Sequence, residues 1–318
     1  MMLSPWTMTL KRSAVGFALA GMMALATPNA HGEKYASIVI DADTDTVLHA
    51  RYADETRFPA SLTKVMTLYM LFEEVDSGRL SLDDMMTASS TAAAKPPSKL
   101  GLRAGDQISV RDAIQALVTK SANDVACVVA EHLGVTEARF AALMTVKART
   151  LGMANTRFYN ASGLPDSRQV STARDMAVLA EAMLDDFSHH YDFFSTQTFR
   201  WNGRTYKNHN ELLGDVEGVD GIKTGYTRAS GYNLMSSAER GDSRVIVIML
   251  GGRTARARND HVTELIEAAY ESFDQPGSAP ALRTHIAFER IQKPIDPNAA
   301  AVPTLNGKPL TIGEGDEQ

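Results

Sequence analysis

Cysteine is almost absent from the chain: Cys127 is the only one among 318 residues. An intrachain disulfide is thereby excluded, and a cysteine-based metal site has no ligands to draw on. The cysteine sits in the apolar run "DVACVVAEHL", where a free thiol packs as a small hydrophobe. Positive charge is scarce as well. The chain has 32 Lys+Arg against 38 Asp+Glu, a formal net charge of -6. With no dense basic run, a nucleic-acid surface is not expected. The histidines show no His-Glu-x-x-His spacing, which leaves metalloprotease chemistry without support. A Gly-x-Ser-x-Gly nucleophile elbow is missing too. No apolar run reaches the roughly 20 residues that a spanning helix needs.

What is present begins with hydrophobicity of 44%, enough for one large domain with a substantial core and a tail. Lys11 and Arg12 precede the apolar stretch "SAVGFALAGMMALA", and Ala24-Leu25-Ala26 fits an A-x-A cleavage site, with Ala30 as a second option. That is the layout of a secretory signal peptide. Residues 1–30 are therefore set aside from fold reasoning, and the mature protein is expected in the bacterial periplasm or secreted. No cysteine near the site allows a lipoprotein.

In the mature chain, the apolar runs Tyr35–Ile40 and Val47–Ala50 flank an Asp/Thr turn and predict a hairpin. Ser61 opens a segment that is apolar all round a helix, with Gly78 as its stop. From Leu80 to Asp186 the pattern reads as helical. It has capping signals at Ser109/Asp112 and Thr172/Asp175 and a loop over "NTRFYNASGLPDSRQV". Strands return in "GYNLMSSAER" and "SRVIVIMLGG" around Gly241-Asp242, and "NDHVTELIEAAYESF" is a final amphipathic helix. These elements predict an α+β fold, an antiparallel sheet built from both chain ends and flanked by helices, with an inserted helical region. The expected organisation is a leader over 1–30, a catalytic domain over 31–273 and a proline-containing, mostly unstructured tail over 274–318.

Three short motifs raise a chemical possibility. Ser61 and Lys64 are three apart on one helical face. A serine hydroxyl is a poor nucleophile at neutral pH, and a lysine serves as its base only when burial or a second cation depresses its pKa. Alone, Ser-x-x-Lys recurs by chance, and an N-cap serine beside a snorkelling lysine is the better explanation of it. Ser121-Ala122-Asn123 breaks two helices where nothing else demands a break; turn residues or a hydroxyl and amide set into a cleft are the two readings. Lys223-Thr224-Gly225 sits just before a predicted strand pair. It is either a polar strand end or an edge that holds an extended peptide, with Lys223 and Thr224 on the carboxylate and Gly225 permitting close approach.

All three motifs occur in the order found in penicillin-binding proteins and class A β-lactamases. Together with "FYNASGLPD", "STARDMAVLA", "VDGIKTGYTRASGYNL" and "GGRTARAR", they make the chain from about Tyr35 to Phe273 resemble the serine D-alanyl-D-alanine carboxypeptidases of peptidase S11 type. The resemblance implies a β-lactamase/penicillin-binding-protein-like fold and a stem peptide of peptidoglycan as substrate. It implies Ser61 as nucleophile, Lys64 as base and Ser121 as proton relay. Asn123 is implied to hold the substrate amide, and Lys223 and Thr224 its carboxylate. The N–H groups of Ser61 and Tyr226 form the oxyanion hole, and Arg253 is a further carboxylate contact. No metal or organic cofactor is implied, and β-lactams should acylate Ser61. A β-lactamase would want a glutamate in an E-x-x-L-N element, which the loop after Gly152 lacks; a non-catalytic sensor or scaffold would want a spanning segment or a lost motif. Many relatives carry a further β-rich domain and a membrane-binding C-terminal helix. The acidic ending "IGEGDEQ" suits neither, so no stable membrane anchor is expected.

Overall fold

The computed structural model describes residues 34–274, together with the antiparallel pair Thr304–Leu305 and Lys308–Pro309. The expected leader, and the tail apart from that pair, lie outside the described residues.

β1 (Ala36–Asp41) and β2 (Thr46–Arg51) form the first hairpin. A 3-10 turn (Ala60–Leu62) runs into α1 (Thr63–Asp76). The inserted region follows: β3 (Met85–Thr87), α2 (Ser90–Ala93), β4 (Gln107–Ser109), α3 (Val110–Val118), α4 (Asn123–Gly134) and α5 (Glu137–Thr150). After a loop come α6 (Ala173–Phe187), a 3-10 segment (Ser188–Ser195) and the small hairpin of β5 (Thr198–Trp201) and β6 (Arg204–Lys207). The chain closes with β7 (Val219–Thr227), β8 (Gly231–Arg240), β9 (Ser243–Gly252) and α7 (Ala255–Asp274). The main sheet is ordered β2-β1-β9-β8-β7 with every neighbour antiparallel, so both chain ends build it, as expected.

The sheet is covered on both faces, which explains strands that read as continuous apolar runs instead of alternating ones. Ile38, Ile40, Ile246 and Ile248 join the core under α1 and α6, while Val39, Val245 and Val247 face Val262 and Ile266 of α7. Burying each such side chain contributes about 1.5–3 kcal/mol. In α1, ten consecutive residues from Thr63 to Phe72 are buried, which is why no single apolar stripe is visible there.

Three local expectations need correction. The stretch from Leu80 to Asp186 is not helical throughout. The pair β3–β4 interrupts it, with Met86 opposite Ile108, because three-residue strands are too short to show a period of two. Lys223-Thr224-Gly225 lies inside β7, not before a strand pair, and β7 is an edge strand. Asp175 reaches back to the side chain of its N-cap Thr172 and not to the backbone N–H that a capping box engages. Thr172 accepts from the Asp175 N–H as expected, but the carboxylate takes Thr156 Oγ1 (2.6 Å) and Asn155 N (2.8 Å), tying the 155–170 loop to α6.

Candidate active site

Ser61 is held from two sides. Pro59 and Ala60, the latter in the left-handed region at φ 49°, turn the chain into the 3-10 start of α1. Gly163 of the 155–170 loop packs on that turn. At φ 83°, it is so close that a Cβ would lie 1.8 Å from Ala60 O. On the other side, a Cβ at Gly225 of β7 would lie 3.0 Å from Ser61 N. Only glycine fits at 163, so Gly163→Ala is expected to cost about 3 kcal/mol through strain and backbone displacement. A lowered urea midpoint together with slower Ser61 chemistry is the expected result.

Lys64, the second residue of α1 and one turn beyond Ser61, is fully buried. Its Nζ lies 2.8 Å from Asn123 Oδ1, 2.5 Å from Ser162 O and 3.2 Å from Ser61 Oγ. A neutral amine has two N–H donors and one lone pair. Donating to Asn123 and Ser162, both of which can only accept at these atoms, leaves the lone pair for the Ser61 hydroxyl. Burial, reinforced by the Lys223 ammonium, pulls the Lys64 amine well below the ordinary lysine value, against Asp124 and Glu137. Geometry and electrostatics thus agree on an amine poised to take the Ser61 proton.

Ser121 occupies the break between α3 and α4 in the left-handed region at φ 56°. Its Oγ is buried without a hydrogen-bond partner. A non-glycine residue held there, with an unsatisfied hydroxyl, is the kind of strain that clusters at working sites. Asn123 opens α4. Its amide is already engaged at both ends, accepting from Lys64 and donating through Nδ2 to Pro96 O (2.9 Å). In this state it positions Lys64.

These groups meet in a cleft of about 510 Å³ between β7 and the helical region. Ser61, Ser121 and Asn123 line one part, Gly163–Pro165 the loop side, and Thr224–Arg228 the edge strand. Lys223 is buried, donating to Thr224 O at 3.1 Å. Burial, with the Arg258 guanidinium second, brings its pKa down to about 7. Arg253, expected as a carboxylate contact, is exposed after β9 and does not line the cleft; Arg258 on α7 does. His209 and Glu211 also line it and were not singled out from sequence. Burial and the nearby Lys223 and Lys120 hold His209 down at about 4, so it is neutral at pH 7. Its weak spot for detection is plain: the absence of metal-ligand spacing says nothing about a histidine in an anion-binding wall. Arg228 and Arg258 face the cleft beside a single acid, Glu211, with Lys223 buried next to Thr224, an arrangement suited to a small carboxylate.

Comparison with known proteins agrees with this geometry. Residues 23–254 match the peptidase S11 family, described as D-alanyl-D-alanine carboxypeptidase. The chain is 36% identical over 244 residues to D-alanyl-D-alanine carboxypeptidase DacC of Escherichia coli, covering 74% of this chain and 61% of that protein. It is 33% identical over 268 residues to DacF of Bacillus subtilis, covering 82% and 66%. The chain thus spans less than two thirds of the length of these relatives. Among solved structures, DacD from Francisella tularensis superposes with a TM-score of 0.73 at 30% identity, covering 74% of this chain and 70% of that one. Ampicillin-bound penicillin-binding protein D2 from Listeria monocytogenes gives 0.69 at 32% identity, covering 76% of this chain and 100% of that one. With Ser61, Lys64, Ser121, Asn123 and Lys223 gathered around one cleft in that fold, the chain belongs to the D-alanyl-D-alanine carboxypeptidase family of peptidase S11.

Proposed function

We propose that this protein is a penicillin-sensitive serine carboxypeptidase that removes the terminal D-alanine from stem peptides of peptidoglycan. The observation that carries it is the arrangement of Lys64 Nζ, whose lone pair is left for the Ser61 hydroxyl at 3.2 Å. Ser61 Oγ attacks the penultimate D-alanine carbonyl while Lys64 takes its proton. The backbone N–H groups of Ser61 and Tyr226 receive the oxyanion, typically the largest contribution to such a reaction. Ser121 relays the proton to the leaving D-alanine amine, and water releases the acyl group. Lys223, Thr224 and Arg258 hold the terminal carboxylate, and the substrate backbone runs along the β7 edge past Gly225.

The leader over residues 1–30 is proposed to export the chain, with cleavage near 26 or 30 and the catalytic unit over 31–273. The Lys11-Arg12 start and the apolar run behind it support this. Among the described residues no helix is long and apolar enough to cross a membrane.

The test is D-alanine release from an acyl-Lys-D-Ala-D-Ala peptide, beside the same peptide ending in a C-terminal amide. Release from the acid is expected, with kcat/KM for the amide lower by about 10²-fold or more, since leaving a buried charge unpaired costs ~2–5 kcal/mol. Equal rates on acid and amide would contradict carboxylate recognition; release from neither would contradict the activity.

A further inference from the structure

We propose that Asp76, His189 and His190 form a binding site for a divalent transition-metal ion of the zinc class, at the end of α1 remote from Ser61. Asp76 is the last residue of α1, and the two histidines open the 3-10 segment after α6. His190 Nε2 lies 2.7 Å from Asp76 Oδ1, and His189 Nε2 lies 2.9 Å from Asp76 Oδ2. One ligand atom from each residue falls within 4.8 Å of the others. Ligand atoms around tetrahedral zinc, with bonds of ~2.0–2.1 Å, sit about 3.3 Å apart. Slight opening of the two imidazole–carboxylate contacts, with rotation of the exposed His189 ring to bring each ligand pair to that spacing, converts these contacts into coordination bonds, with the ion taking the place of the hydrogens that now join imidazole to carboxylate. Two imidazoles and one carboxylate are zinc ligands by type, and they leave a fourth position for water.

Two surrounding features favour a cation here. The C-terminus of a helix is its negative end, and carboxylates there are unfavourable unless compensated. α1 ends with three, Glu73, Glu74 and Asp76. Glu73 is paired with Lys147 and Glu74 with Arg79, whereas Asp76 faces the histidines. The His190 ring is also held in place, stacked on Phe72 at 4.8 Å between centroids and 18° between planes. The metal would act as a clamp. The segment carrying the histidines also carries Tyr191 and Phe194, which pack beneath Gly221 of β7, where a Cβ would lie 2.8 Å from Tyr191 Oη. The ion would tie the far end of the nucleophile's helix to the element that supports the substrate strand.

The full chain, stripped with EDTA, would be titrated with zinc chloride by calorimetry, alone and as the His189→Gln/His190→Gln double variant. One equivalent bound by the wild type is expected, with affinity lowered in the variant by more than about 100-fold, the upper end of what losing even an outer hydrogen-bond partner costs a metal site. Zinc at 100 times Kd should raise the wild-type Tm by about 5 °C and leave the variant's Tm in place. A measurement on the wild type alone guards against a misfolded variant: zinc should protect His189 from diethyl pyrocarbonate, mapped by mass spectrometry. Absence of zinc binding, an unchanged isotherm in the double variant, or equal modification of His189 with and without zinc would each overturn the proposal.

Discussion

Ser61→Ala is expected to abolish covalent labelling by penicillin and to lower D-alanine release by about 10⁴-fold or more, because no other group can form the acyl bond. The fold should survive. Removing Oγ takes away only the 3.2 Å contact to Lys64, which keeps its acceptors Asn123 Oδ1 and Ser162 O. The urea midpoint should shift by less than the equivalent of ~1 kcal/mol. In the wild type, mass spectrometry should find one penicillin adduct that outlasts removal of free drug. Rapid hydrolysis of that ester needs a carboxylate that activates water. In the 155–170 loop Asp166 is bound by Arg168 through two hydrogen bonds, at 3.0 and 2.7 Å, and in the cleft Glu211 accepts from Asn259 at 2.8 Å. Labelling that persists in Ser61→Ala would remove Ser61 from its assigned role. A wild-type adduct that vanishes within one catalytic turnover would point instead to a β-lactamase.

The contrast between legible and illegible parts has a physical pattern. Long apolar runs such as those of β1 and β9 are readable because burial on both faces leaves few polar positions to dilute the signal, Ser37 being the one fully buried polar residue in β1. Motif residues were readable because the chemistry restricts their type. Short elements were not. β3 and β4 give three residues each, whereas the β5–β6 hairpin did carry a usable sign, Asn202-Gly203, both at positive φ. The two arginines are placed differently for a geometric reason. Arg253 and Arg258 straddle the start of α7, so the first is left on an exposed connection while the second turns back over β8, donating to Asn233 O at 3.3 Å. The Ser162 carbonyl that orients Lys64 has no side-chain signature at all. Nor does separation in sequence announce that Asp76 and His190, 114 residues apart, share a hydrogen bond.

Lys64→Met should slow acylation of Ser61 by about 10³-fold, within the 10²–10⁴ that a positioned base contributes. Methionine has nearly the length of lysine and suits the buried helix position. It removes the amine while keeping packing against the apolar surroundings of α1. The cost falls on Asn123 Oδ1 and Ser162 O, which lose a donor in a buried place, at ~1–3 kcal/mol each. Relief of a depressed, buried amine offsets part of it, so the variant should fold with a lowered Tm. The pH profile separates a base from a structural cation. A base must be neutral to act, so the wild-type acylation rate should rise with pH as the ammonium form is lost. Because burial and Lys223 lower the Lys64 pKa, the plateau should arrive well before the ordinary lysine value of 10.5. Lys223→Ala removes the neighbouring cation, and by the same sign raises the Lys64 pKa and moves the ascending limb toward higher pH. In Lys64→Met the limb itself should disappear, leaving a slow rate independent of Lys64 ionisation. Stopped-flow acylation with a chromogenic cephalosporin across about pH 5 to pH 10 measures all three enzymes. An unchanged ascending limb in Lys64→Met would assign the proton acceptor elsewhere, with Lys223, brought down to about 7 by burial and Arg258, the next group to test.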